Sequence, residues 1–375
     1  MEYSETISIQ DNIHIGLAAC IAFIFSLYAI PVLVRLARVR KIYDQPNNRT
    51  AHLHPTPRLA GIAIFLSILI SVSILASSTN LPNFQYISAS CLVLFFTGIK
   101  DDFIGISFPK KFIAQIVAGS ILIFLADIRF TSIHGFFGGQ AISYPLSFQL
   151  TLFVIIGITN ALNLLDGVDG LTGSISLSAF ITLGAWFFVN NQSGYAIICA
   201  AAAGSLVAFL WFNIWSRKNK IFMGDTGSLF LGFLLSILVI RFNELNLITN
   251  IHWHISAAPV VSFGILIIPI FDTCRVMLSR ILLGKSPFHP DKTHIHHYLL
   301  ALGFSHKQVT SILFCTGIFY ICLAFGIQHL NLYIATIILI GSALVLTYIP
   351  IFILQRKSHP LPWTVIREIA KKRAQ

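Results

Sequence analysis

Charge is scarce in this sequence: Asp, Glu, Lys and Arg supply only 10% of its 375 residues, against about 25% in an average soluble domain. A water-exposed globule of this length has too little polar surface to cover itself. A disordered chain, which is polar and highly charged, is excluded by the same shortage. Paired cysteines are lacking too. Cys20, Cys91, Cys199, Cys274, Cys315 and Cys322 lie singly in apolar stretches with no CxxC spacing, which argues against a disulfide framework and a zinc ribbon. No basic segment or clear cleavage site accompanies the first long apolar run, so no cleavable signal is expected.

Apolar residues make up 56% of the chain. At about 20 residues per crossing, its length accommodates roughly ten or eleven membrane helices. Apolar runs near 13–36, 59–78, 84–99, 111–127, 147–163, 171–190, 194–213, 226–242, 257–278, 307–327 and 333–354 predict eleven. The expected class is an all-α polytopic integral membrane protein with about 11 transmembrane helices, or 10, since 84–99 is short. The Gly-rich stretch 135–146 has room for a re-entrant segment.

The net charge of +11 invites a nucleic-acid reading, but the placement of the cations argues against it. Of the 25 Lys and Arg, all except Arg129 and Arg241 fall in alternate loops or the tail, on one side of the eleven-span arrangement. Membrane insertion alone produces that bias, and it puts the N-terminus outside and the C-terminus in the cytoplasm. Acidic residues obey no such rule. Even so, Asp44, Asp101, Asp102, Asp166, Asp169, Asp225 and Asp291 gather on the same face, together with amides and imidazoles. One face that collects these groups has the makings of a site.

Asp101 and Asp102 stand side by side at the end of the third run. Adjacent carboxylates repel, so the pair calls for a cation, either a divalent metal or the nearby Lys100, Lys110 and Lys111, and a freed carboxylate can act as a base. Asn160, Asn163, Asp166 and Asp169 recur at every third position, a spacing that on a helix keeps them on one slowly drifting face. A glycine stop and a helix cap account for Asp169, but not for two amides on an oily face. In Phe222-Met-Gly-Asp225-Thr226-Gly-Ser228, Asp225 reads as an N-cap or, with Thr226 or Ser228 doing the capping, as a magnesium ligand beside a phosphate-attracting helix start. Phe222 reads as a stacking surface for a base or as an interfacial anchor.

His294, His296 and His297 have no partner with zinc-like spacing. They read as phosphate donors, with His294 and His297 on one helix face and Thr293 or Asp291 capping the turn. The proline-stiffened segment 44–61 offers Arg49 and Arg58 as phosphate-type donors, although Arg58 at a span start can equally snorkel. Asp272 reads as an i,i+3 partner of Arg275.

Taken together, 44–61, the Asp101-Asp102 pair, 160–170, 222–228 and 287–297 resemble the polyprenyl-phosphate N-acetylhexosamine-1-phosphate transferase family, the WecA/TagO type of the glycosyltransferase 4 / MraY superfamily. The resemblance runs in order over about residues 13–355. The alternative MraY branch transfers phospho-MurNAc-pentapeptide and carries three adjacent His. Here Ile295 interrupts that run, which points to the WecA-like side. Two departures from the family pattern stand out, of which the second bears on nucleotide contacts and sugar preference. Ala60-Gly61 replaces a common glycine pair, and a basic 213–220 stretch stands where the family often shows His-Pro-Ala.

The resemblance implies one transmembrane catalytic domain, 1–355, with cytoplasmic loops 35–58, 100–111, 163–171, 214–226 and 279–306, then a basic cytoplasmic tail, 356–375. It implies the bacterial inner membrane, with the site on the cytoplasmic face. The implied reaction moves a phospho-N-acetylhexosamine, foremost GlcNAc-1-phosphate, from a UDP-sugar to undecaprenyl phosphate. UMP is released, and the lipid diphosphate sugar begins a cell-envelope polysaccharide. The implied cofactor is Mg2+, with Mn2+ as a substitute, held by Asp225 with help from the Asn163 amide oxygen. Asp101 and Asp102 would handle the lipid phosphate, one of them as base or metal partner. Asp166 and Asp169 would position donor and metal, and Asn160 would join them at the substrate. Phe222 would stack on uracil, while Arg58, His294, His296 and His297 would hold the diphosphate. No nucleic acid is implied, and monomer or homo-oligomer stays open. A transporter of an anionic substrate, the rival class, would gather its polar residues at the bilayer midplane on broken helices. Here they crowd one surface.

Overall fold

A computed structural model describes residues 9–43, 56–75, 81–138, 141–248, 251–287 and 293–356. Asp44, Arg49, His289, Asp291 and the tail beyond Arg356 lie outside the described residues. The helices are α1 (Ile9–Arg40), α2 (Ala60–Leu75), α3 (Phe84–Ile104), α4 (Phe108–Ala126), α5 (Tyr144–Leu165), α6 (Leu171–Val189) and α7 (Ser193–Leu210). They continue with α8 (Gly224–Leu245), α9 (Ala258–Ile265), α10 (Ile267–Leu282), α11 (Ile295–Ala301), α12 (His306–Ile327) and α13 (Leu332–Arg356). A π-helical turn, Trp211–Trp215, extends α7. Among the described residues the only β feature is an isolated bridge between Ser132 and Ala141.

Eight described helices are long and apolar enough to cross a membrane, and the α9–α10 pair makes a ninth if it counts as one span. The protein is therefore an all-α polytopic membrane protein. The single span expected over 257–278 is corrected: α9 and α10 meet at 84°. Pro269 explains the break, because its ring has no N–H to donate and would clash with the carbonyl of Ile265, the last residue of α9. The third run also extends further than its apolar stretch, so Asp101 and Asp102 are helical residues of α3.

α8 is apolar on nearly every side and forms the centre of the bundle, with 83% of its apolar window buried against α2, α3, α5, α6 and α9. Lipid gives helices no hydrophobic reason to associate, so close packing of small residues and hydroxyl bonds has to hold them together. Both occur where α1, α2 and α7 meet. A Cβ on Gly204 would lie 2.1 Å from the Ala19 carbonyl oxygen. Ser205 Oγ lies 2.8 Å from both Ser26 and Ser67 Oγ. At the far end of α8, Glu244 accepts hydrogen bonds from Thr131 N (2.9 Å) and Thr131 Oγ1 (2.7 Å), and lies 3.0 Å from His134 Nε2. These contacts tie the 127–138 segment to the bundle as a surface loop.

Candidate active site

The near end of α8 is where the sequence motifs meet. Phe222 N donates to Pro57 O (2.8 Å), while Ala60 N and Gly61 N donate to the carbonyls of Phe222 (3.1 Å) and Met223 (3.0 Å). The free N–H groups that begin α2 are thus satisfied by the segment leading into α8. The start of α8 is capped from α3. Asp102 Oδ1 accepts from Asp225 N (2.8 Å), and its Oδ2 accepts from Thr226 N (2.9 Å) and Thr226 Oγ1 (2.6 Å). The cap expected from Thr226 or Ser228 is therefore supplied by Asp102, and Ser228 Oγ donates to Gly224 O instead. Gly224 has φ +74°, and a Cβ there would lie 2.7 Å from Asp102 Oδ2. Both the turn and the capping carboxylate need glycine at this position.

Beside this cap lies a charged cluster. Lys111, in the first turn of α4, pairs with Asp101, and its Nζ is 3.3 Å from Asp225 Oδ2. Asp101 Oδ1 also accepts from Ile106 N at 2.7 Å. Asn163, near the end of α5, donates its Nδ2 to Asp225 Oδ1 and to Ser228 Oγ (2.9 Å). Presenting the Asn163 amide oxygen beside Asp225, as a metal ligand would, requires the amide to turn over. Asp166 ends α5. Desolvation pushes its carboxyl up to about 7, and the negative charges of Asp225 and Asp102 add to the shift, while Arg58 opposes it.

The remaining residues form the rim. Asp169 Oδ2 lies 2.6 Å from Lys220 Nζ and 3.6 Å from His306 Nδ1, and the Asp169 carbonyl accepts from Thr310 Oγ1 at 2.6 Å. The Phe222 ring sits 5.7 Å from Lys220 Nζ. His294 precedes α11 in an extended conformation, so it does not share a helix face with His297 as expected. Asp291, one of the two caps expected there, lies outside the described residues. Asp272 of α10 accepts from Ile295 N at 3.1 and 3.2 Å. A Cβ on Gly167 would lie 3.0 Å from His296 Nε2, which brings the histidine stretch against the end of α5. Burial drives the His296 imidazole down to about 3, and His297 reinforces the shift. It therefore stays neutral at physiological pH and can offer phosphate only one N–H. Asn160 departs from the group, exchanging hydrogen bonds with Gln115 of α4 (2.8 and 3.3 Å) inside the bundle.

Several known proteins match most of this chain. A probable undecaprenyl-phosphate N-acetylglucosaminyl 1-phosphate transferase of Bacillus subtilis is 32% identical over 330 residues, covering 85% of this chain and 87% of that protein. Undecaprenyl-phosphate alpha-N-acetylglucosaminyl 1-phosphate transferases of Yersinia pestis and of Escherichia coli K12 are each 29% identical over 289 residues. Both matches cover 76% of this chain, with 77% and 76% of the respective relatives. The description of glycosyl transferase family 4 matches residues 84–243. The chain belongs to glycosyl transferase family 4.

The family 4 match takes in Asp101, Asp102, Asn163, Asp166, Asp169, Phe222 and Asp225, while Arg58 and the histidines lie outside it. Among the described residues no three His, Cys, Asp or Glu converge to hold a metal by themselves. Magnesium asks for less, because it binds through one or two carboxylates, waters and substrate phosphates. Asp101 and Asp225 already share one cation, the Lys111 ammonium, so a hard-oxygen pair able to face a positive charge is present. Sequence reasoning gave no site role to three residues of this cluster and its rim. It offered Lys111 only with Lys100 and Lys110 as a counter-charge, and Lys220 only as a loop cation. Asp272, offered only as a partner of Arg275, had the clearest signal, a carboxylate inside an apolar run, which in a membrane span marks function or a specific partner.

Proposed function

We propose that this family 4 protein transfers GlcNAc-1-phosphate from UDP-GlcNAc to undecaprenyl phosphate on the cytoplasmic face of a bacterial inner membrane, with magnesium. The observation that carries this reading is the meeting of 57–61, Asp101-Asp102, 163–169, 222–228 and the histidine segment around one carboxylate-and-lysine cluster at one end of the bundle. The names of the relatives supply the acceptor and the sugar phosphate.

In this reaction a lipid phosphate oxygen bonds to the β-phosphorus of the donor while the bond to UMP breaks. A phosphate monoester is mostly dianionic near pH 7, so little proton removal is needed. The obstacle is bringing two anions together. Lys111 sits where it can offset that charge, and Arg58, His294 and His297 supply donors for the diphosphate. Phe222 stacks on the base, and Asp166 with Asp169 orients the donor. Asp102 acts by fixing the start of α8, which sets Asp225. Asp225 with Asp101 would hold magnesium, which when bound neutralises charge on phosphate oxygens.

Membranes carrying the protein, given UDP-[14C]GlcNAc, undecaprenyl phosphate and Mg2+, should yield chloroform-soluble label and UMP, both abolished by EDTA. Label that persists under chelation, or its absence with every UDP-N-acetylhexosamine, contradicts the reading. The raised carboxyl of Asp166 adds a pH prediction. A group that titrates near 7 holds a proton below that pH, and the proton competes with a bound cation. Mn2+ affinity measured without substrates should therefore rise as pH goes from about 6 to 8, and Asp166→Asn should flatten that rise. A slope unchanged in the variant would remove Asp166 from the site.

A further inference from the structure

We propose that Asp272 is a positioning residue that fixes the tautomer and orientation of His294, so that Nε2 is the imidazole nitrogen left for the phosphate-bearing substrate. This rests on the reading of His294 given above and assigns a role to a residue expected only to pair with Arg275.

Asp272 is 4% exposed and His294 5%. The two are 22 residues apart in sequence, yet His294 Nδ1 lies 2.8 Å from Asp272 Oδ2. Every other partner of this carboxylate is a donor. Arg275 Nη2 reaches Oδ1 at 2.7 Å, and Ile295 N donates to both oxygens. The same Arg275 nitrogen donates to Thr293 O at 2.6 Å, which holds the chain just before His294. An ionised carboxylate only accepts, so the proton of the contact belongs to Nδ1. The hydrogen bond made by one ring nitrogen of a histidine decides the chemistry of the other.

The ring is placed as well as protonated. The His294 and His296 rings are parallel, with an interplanar angle of 7° and centroids 5.8 Å apart, and His296 abuts Gly167 beside Asp166. Ile295 and Leu299 of α11 pack with Leu165, Val168 and Leu171, which bracket the acidic turn. Asp272 thus acts, from the second turn of α10, as a strut from the bundle to the imidazole. With its oxygens occupied by these donors, it is poorly suited to bind substrate or metal itself.

Solid-state 15N NMR of the full chain in lipid, labelled at histidine, tests the tautomer without turnover. The signal lost in His294→Gln should be that of a ring protonated at Nδ1. In Asp272→Asn, Arg275 and Ile295 N hold the amide oxygen, which turns the amide N–H groups toward His294. The His294 proton should then move to Nε2. A wild-type ring protonated at Nε2 alone, or a ring unchanged in Asp272→Asn, overturns the proposal. In the transferase assay, Asp272→Asn should lower kcat by about 100-fold with the KM for donor changed less than about threefold. In the Asp272→Asn/His294→Gln double variant, activity should stay within about threefold of His294→Gln alone. Losses that multiply would mean Asp272 only scaffolds α11, and would overturn it too. Absence of transferase activity in the wild type would defeat the proposed function, while the tautomer measurement would still judge this inference.

Discussion

Asp225→Asn is expected to cut UMP release by about 10³-fold or more, with a thermal unfolding midpoint within about 3 °C of wild type. The two halves of this expectation have separate causes. Asp225 offers its carboxylate to Lys111 and Asn163, and 27% of its side chain is exposed. It does not support the fold, because the N-terminus of α8 is held by Asp102 through two backbone N–H groups and a hydroxyl. Replacing the carboxylate with an amide keeps its shape but removes a negative charge that also bears on Asp166. On the proposed reading, what is lost is the ability to hold a divalent ion against two anionic substrates. HPLC quantification of UMP beside an unfolding curve in the same detergent checks both halves. A rate near wild type would show that Asp225 is not the metal ligand, and a collapsed unfolding midpoint would show that it is part of the scaffold.

Gly98→Ala should be a strongly damaging single-methyl change at a residue outside the charged cluster. A Cβ at Gly98 would stand 2.3 Å from Thr226 Cα and 2.7 Å from Thr226 N, both backbone atoms of the capped turn. A flexible side chain could swing away, but this turn is pinned by Asp102 from the same helix that carries Gly98. To admit the methyl, α3 and α8 have to separate, and Asp101 and Asp102 are carried off Asp225 and Thr226. Overpacking of this kind costs about 1–3 kcal/mol, which for a chain of this size corresponds to a midpoint lowered by about 1–4 °C. Activity should fall by about 100-fold, since a displacement near 1 Å in a positioned site has that effect. Gly157→Ala in α5 is the control, as nothing lies within 4 Å of its added methyl. If Gly98→Ala matches that control in both stability and rate, the tight contact between α3 and α8 does not organise the site.

Much of the fold was legible because the bilayer imposes one requirement on every crossing, a run of apolar residues, and each predicted run coincides with helix. Where the run misled, a local feature was responsible. Pro269 sits inside an otherwise continuous apolar stretch and breaks it, and polarity at the end of α3 hid five further residues of helix, 100–104, before Gly105. The site was legible as a set of residue types, but its pairings were not. Asp102 caps a helix more than 120 residues away, and Lys111 reaches Asp225 from 114 residues away. No periodicity reports contacts of that kind. The 160–169 spacing shows how a valid pattern can still mislead. Three-residue steps turn each side chain by roughly 60° from the last. Asn163 therefore meets α8 while Asn160 faces Gln115 on α4.

Cysteine labelling in intact and permeabilised cells tests the central claim most directly, because the account requires the polar stretches to share one side of the membrane. In a cysteine-free background, Lys110→Cys, Arg217→Cys and Lys285→Cys place single thiols at exposed positions near three of these stretches, and His252→Cys places one at the opposite end of the bundle. With a membrane-impermeant maleimide, His252→Cys should label in intact cells, and the other three should label only after permeabilisation. If any two of those three fell into different classes, the stretches could not meet, and the shared site would not exist.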